Sequence, residues 1–153
     1  DNGRLEDAEH EDVLVEFLQA QSAFLSEHKV LILFESDFWP RELARFIGRL
    51  DPNLFGINYD IGNSAALGFS PSEEFDAYGP RIMNVHVKDR VLGGMTVPLG
   101  TGNADFTTVF RLLRTHGYQG NYIMQTARAS DDCHSSVLKR YIHQVEQWST
   151  EAD

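Results

Sequence analysis

An α/β fold with a parallel sheet is the architecture this sequence predicts, and three observations predict it. Short, nearly continuous apolar runs alternate with amphipathic helical stretches, and four such alternations follow one another. The polar residues that end the runs are also regularly spaced: Glu35 to Asp60 is 25 residues, Asp60 to His86 is 26, and His86 to Gln125 is 39. Parallel neighbours need a crossover of about a dozen residues or more, which a helix supplies.

The first element is an amphipathic helix over about 8–27, because Leu14, Phe17, Leu18, Phe24 and Leu25 recur at helical spacing. VLILF at 30–34 follows; its length, β-branched content and continuous apolarity describe a strand buried on both faces. Pro40 suits a first helical turn, where its missing N–H has no bond to lose, and Leu43, Phe46, Ile47 and Leu50 mark the inner face of a helix to about 50. The unit then repeats. Asp51-Pro52-Asn53 is a turn and LFGINYD at 54–60 a second strand. Ser70-Pro71-Ser72-Glu73 reads as an N-cap, a Pro at the first helical position and a capping-box Glu, opening a helix that ends by Gly79-Pro80. RIMNVHVKD at 81–89 is a third strand, and a Gly-rich loop leads from it to a helix over about 105–116. Gly117 and Gly120 bracket the turn into a fourth strand, NYIMQ at 121–125. A closing helix over 131–148 carries Val137, Leu138, Tyr141, Ile142, Val145 and Trp148 at helical periods. The sum is four strands and about five helices in one domain, with no linker, charge run or low-complexity tract to divide it.

At 153 residues the chain can bury a core of its own, since a domain of this size hides roughly two-thirds of its unfolded surface. No apolar run approaches the roughly 20 residues of a membrane helix, so no membrane partner is expected. With 13 Lys and Arg against 23 Asp and Glu, the formal charge of -10 repels nucleic-acid phosphates, and no nucleic-acid partner is expected. One cysteine, Cys133, makes no internal disulfide, so nothing demands an oxidising compartment and the cytoplasm is the expected location. The chain begins at Asp1 and not Met, which fits a processed product or a fragment.

Active sites of parallel α/β folds lie at the C-terminal ends of the strands. Glu35, Asp60, His86 and Gln125 each end an apolar run. Any one of them alone can be a boundary between core and loop. Three oxygen or nitrogen donors at equivalent places in three consecutive units instead form a mixed site suited to Mn, Mg, Co or Zn. Lys88, Arg90 and Arg128 are candidates to bind a substrate through a phosphate, or else are salt-bridged loop residues. Asn63 either hydrogen-bonds a substrate hydroxyl or caps the loop after Asp60. Phe38 and Trp39 either wall a pocket or pack under the loop. Gly93-Gly94 and Gly100-Thr101-Gly102 lack both the Walker lysine spacing and the dinucleotide fingerprint, and read as turns. His10, His28, His116, His134 and His143 fall on helices or helix ends, where solvent is their expected surrounding, and Cys133 reads as a structural or surface thiol.

The segments LFESD, INYDIGNSAALG, NVHVKDR, TVPLGTGNADF and YIMQTAR resemble the C-terminal half of the sugar phosphate isomerase/epimerase superfamily, the xylose-isomerase-like TIM barrels, over nearly all of 13–148. The resemblance implies that 1–153 is a single partial barrel domain supplying strands five to eight of a (β/α)8 barrel. It implies that Glu35, Asp60 and His86 hold a divalent metal, with Gln125 at the fourth position, where epimerases of the family have a second Glu. An amide oxygen there adds no charge and cannot act as a base near neutral pH. The implied reaction is isomerisation or epimerisation of a sugar or sugar phosphate through an enediolate intermediate, with Glu35 as general base. Dehydration of a sugar or polyol on the same fold is the alternative, as is a catalytically inactive barrel fragment. The phosphodiester cleavage of the related apurinic endonucleases resembles a multi-zinc site with more strand-end histidines than His86 alone.

A closed barrel of this kind needs eight strands and about 250 residues. Four strands leave two sheet edges and half of the inward-facing surface open, which predicts either a missing N-terminal half-barrel or the pairing of two copies as a homodimer.

Overall fold

The structure, a computed structural model, describes Leu5, residues 7–129 and residues 131–150. Among the described residues six strands are formed: β1 (Ile32–Phe34), β2 (Phe55–Asp60), β3 (Ile82–Val87), β4 (Asp89–Arg90), β5 (Thr96–Val97) and β6 (Asn121–Met124). Strands β1, β2, β3 and β6 make one parallel sheet in that order, and β4 and β5 pair antiparallel as a separate hairpin. The helices are α1 (Ala8–Ala20), α2 (Ser22–His28), α3 (Pro40–Ile47), α4 (Ile61–Leu67), α5 (Pro71–Tyr78), α6 (Phe106–Thr115) and α7 (His134–Thr150). The fold is α/β with a four-stranded parallel sheet, a partial barrel.

The sheet has one apolar face. Phe55, Ile57 and Tyr59 of β2 and Val85 and Val87 of β3 are each at most 3% exposed. They form one core with Phe46 and Ile47 of α3, Phe75 of α5, and Val109, Phe110 and Leu113 of α6. Burial of this kind, at roughly 25 cal/mol per Å², is the main force holding the helices to the sheet. Polar contacts add direction: Glu11 of α1, nearly buried, accepts from Arg45 at 2.6 Å and from Arg49 at 2.8 Å, tying α1 to α3. Arg81 donates to the carbonyls of Ile47, Leu50 and Phe55, which fastens the end of α3 to the start of β3.

Several expectations need correction. The helix over 8–27 is two helices, because the Gln21 amide bonds the Leu18 carbonyl three residues back and tightens the last turn of α1. β1 is only half-buried, and Val30 and Leu31 before it are 44% and 52% exposed. Its continuous apolarity suggested burial on both faces, yet it pairs only with β2 and lies at the sheet edge. Ser70 occupies the N-cap of α5, but its hydroxyl makes no capping bond, so Pro71 alone carries out the predicted start. The five expected helices become seven among the described residues: the first is divided, and α4 forms where a loop was expected.

Candidate metal centre

Register places the candidate donors. Asp60 and His86 are directly paired across β2 and β3, and Glu35 follows β1 on the other side of β2. A bulge between Ile57/Asn58 and Ile82/Asn84 inserts Met83 into β3, so Asn58 and Asp60 pair with Asn84 and His86. The Met83 side chain lies over Gly56, where a Cβ would come 2.5 Å from its sulfur.

Glu35, Asp60 and His86 each offer one ligand atom, and these atoms lie within 4.8 Å of one another. His86 Nδ1 is 3.4 Å from Glu35 Oε2 and 3.8 Å from Asp60 Oδ2. Two carboxylate oxygens and an imidazole nitrogen at these separations suit a divalent ion with bonds of about 2.0–2.3 Å, and the two negative charges match its charge. The three side chains differ in access: Asp60 is 1% exposed, His86 22% and Glu35 40%. Asp60 also has two tasks, because its Oδ1 accepts from the Asn63 amide at 2.8 Å as the N-cap of α4, leaving Oδ2 toward the other donors.

The amides around the donors are ordered. Asn58 Nδ2 and Asn63 Nδ2 donate to Glu35 Oε2 and Oε1, each at 2.7 Å, so both carboxylate oxygens are held. Asn84 Nδ2 in turn donates to Asn58 Oδ1 at 2.7 Å. Asn63 Oδ1 accepts from Lys88 Nζ at 3.1 Å and from Arg90 at 2.8 Å. Lys88 Nζ also reaches Gln125 Oε1 at 2.9 Å and Asp60 Oδ2 at 3.4 Å. The structure therefore gathers Glu35, Asp60, His86, Asn63, Lys88, Arg90 and Gln125 into one network. Arg128 is exposed on the segment after β6 and makes no hydrogen bond or ion pair among the described residues.

Asn58, Asn84 and Asp89 were not singled out from sequence. The two asparagines were legible as polar residues two positions before Asp60 and His86, on the same strand face. Asp89, 1% exposed, accepts from the amides of Gly100, Gly102 and Ala104 at 2.8–3.1 Å, and so shapes the Gly-rich loop around a carboxylate of the chain. Of the two aromatics after Glu35, Phe38 is half-buried edge-on to Phe46, whereas Trp39 is 65% exposed and rests on Phe69 at 5.0 Å. The five other histidines and Cys133 are exposed, as expected. No helix among the described residues is long and apolar enough to cross a membrane.

A parallel partial barrel with these strand-end residues defines the class, and comparison with known sequences agrees: the chain belongs to the xylose isomerase-like TIM barrel family, whose profile matches residues 2–151. It is 29% identical over 126 residues to an inosose dehydratase of Geobacillus kaustophilus, covering 68% of this chain and 41% of that protein. It is 34% identical over 87 residues to an L-ribulose-5-phosphate 3-epimerase of Shigella boydii, covering 56% of this chain and 31% of that protein. Among solved structures, a xylose isomerase domain protein from Planctomyces limnophilus superposes with a TM-score of 0.82 at 20% identity, over 98% of this chain and 58% of that one. The chain thus spans about two-fifths of the length of the dehydratase it matches.

Proposed function

We propose that this chain carries the metal-binding part of an isomerase or epimerase acting on a sugar or sugar phosphate. The observation that carries the reading is the convergence of Glu35, Asp60 and His86 at three adjacent strand ends. These residues would hold Mn, Mg, Co or Zn, and the ion when bound would polarise the substrate carbonyl. Glu35 is the proposed base, because its 40% exposure makes it the carboxylate a substrate can reach, and Asn58 and Asn63 aim both of its oxygens. It takes the proton from the carbon beside the carbonyl; returning it to the neighbouring carbon gives the isomer, whereas an epimer requires a proton delivered to the opposite face by a second donor or by water. Asn63, Lys88 and Arg90 face substrate hydroxyls or a phosphate, and Arg128 supplies a guanidinium with no partner among the described residues. The chain then contributes strands five to eight of the barrel, and the facing wall comes from four further βα units or from a second copy.

A second reading, dehydration of a sugar or polyol, is favoured by the similarity to an inosose dehydratase over 68% of the chain and by the neutral amide at Gln125. One assay separates the readings: metal-dependent exchange of carbon-bound hydrogen with solvent, over a panel of ketoses, ketose phosphates and cyclic ketopolyols. Exchange with epimer or isomer formation supports the first, and loss of water supports the second. Glu35→Gln is expected to abolish turnover while retaining much of the metal binding; normal turnover in that variant would end its assignment as base.

A further inference from the structure

The three charged or aromatic donors at the strand ends converge, but Gln125 does something different. Its single side-chain oxygen accepts from Lys88 Nζ at 2.9 Å. A divalent ion on that same neutral oxygen would face an ammonium beside it, and two cations sharing one uncharged acceptor repel each other. An ammonium has three donors, and those of Lys88 are matched by three oxygens: Gln125 Oε1, Asn63 Oδ1 at 3.1 Å and Asp60 Oδ2 at 3.4 Å. Two of the three are amide oxygens, which point a cation without neutralising it. The stem is fixed as well, since Lys88 is 15% exposed and packs so closely on Gly62 that a Cβ there would lie 2.7 Å from Lys88 Cγ.

We infer that Gln125 is the seat of Lys88 and not a metal ligand, so that the site has three metal donors, one exposed base and a fixed ammonium at the corner beside β6. The metal half of this inference rests on the function proposed above. Its chemical consequence is asymmetry. Glu35 and Lys88 both hold Asn63, one through its nitrogen and the other through its oxygen, so base and ammonium lie on either side of one amide. A substrate seated beside this amide meets a base at one end of it and a positive charge at the other. Glu35 by itself can return the proton only from the face it took it from, which gives an isomer when the proton goes to the neighbouring carbon and no net change at the original one. The substrate oxygen at the Lys88 corner is one that carries or develops negative charge.

Two measurements on the full chain test this. Acylation by an amine-directed reagent, read by mass spectrometry without metal, compares Lys88 with the exposed Lys29 and Lys139. In Gln125→Ala, Lys88 is expected to react at least about threefold faster, a modest fraction of what losing one hydrogen bond to a charged group produces. Lys29 and Lys139 should keep their rates, and Gln125→Glu should keep Lys88 protected. Calorimetric titration with Mn2+ is expected to give Gln125→Ala the parent affinity within about threefold, whereas loss of a metal contact costs about tenfold or more. A smaller change in Lys88 labelling, or a larger loss of Mn2+ affinity, overturns the inference. A parent chain that binds no Mn2+ overturns the metal reading, and the labelling then still decides whether Gln125 seats Lys88.

Discussion

Asn63 joins the two signs of charge at the strand ends, with its nitrogen on Glu35 and its oxygen on Lys88 and Arg90. Removing it frees both sides at once. Asn63→Ala is expected to lower kcat/KM by about tenfold or more through misaimed groups, while costing only ~1 kcal/mol of stability for the lost hydrogen bonds. Unchanged kcat/KM would mean that Asn63 does not aim Glu35. Glu74 poses a different residue-scale question, because it is 1% exposed and, among the described residues, its bonded partners are hydroxyls and not a cation. The hydroxyls of Tyr59 at 2.8 Å, Tyr78 at 2.7 Å and Ser64 donate to it, and burial pushes its carboxyl above the ordinary glutamate value of 4.5. A raised carboxyl pKa means that the native state holds this proton more tightly than the unfolded chain. The resulting penalty is absent below about 4.5 and develops fully as pH rises through the native value. The stability of Glu74→Gln relative to the parent should therefore improve from about pH 4 to about pH 8, as urea midpoints would show. A pH-independent difference would mean that burial does not raise the Glu74 carboxyl above its unfolded value.

At the scale of elements, α4 is the feature that turns a strand end into a site. Asp60 caps it and Asn63 lies in its first turn, so one short helix orients a candidate metal donor and the bridging amide together. Its start lies close on the end of β3, and Gly62 permits this: a Cβ would come 2.9 Å from the Lys88 carbonyl carbon, a backbone atom that cannot step aside. Gly62→Ala should destabilise the protein by about 1–3 kcal/mol through overpacking, and should loosen Lys88. An unchanged urea midpoint would show that α4 can shift. α4 was readable in part, since Asp60 and the left-handed Gly68 bracket it as cap and stop. It was missed because seven residues with Gly62, Ala65 and Ala66 carry no apolar period. The capping box at Ser70 erred the other way, since a local pattern permits a side-chain bond without requiring it.

For the whole molecule, the open sheet edges dominate. Leu31 beside β1 and Ile123 of β6 are 52% and 46% exposed, and Leu138 and Ile142 of α7 are 41% and 48%. Unpaired strand edges flanked by apolar side chains associate, and lysines on them oppose association. The chain is expected to self-associate as its concentration rises, and Leu31→Lys combined with Ile123→Lys to reduce this in light scattering. A parent that stays a monodisperse monomer at every concentration would remove the case for pairing.

Read alone, the amino-acid sequence determined the succession of strands and helices and the placing of Glu35, Asp60 and His86 at strand ends. Both follow from local apolar periodicity and from where each run stops. The tertiary structure decided what depends on pairing between distant segments. The β3 bulge set which asparagines face the donors, the sheet edge left β1 half-buried, and the approach of β3 to β6 turned Lys88 onto Gln125. Strand register and side-chain partnership are properties of two segments at once, and no spacing within one segment specifies them.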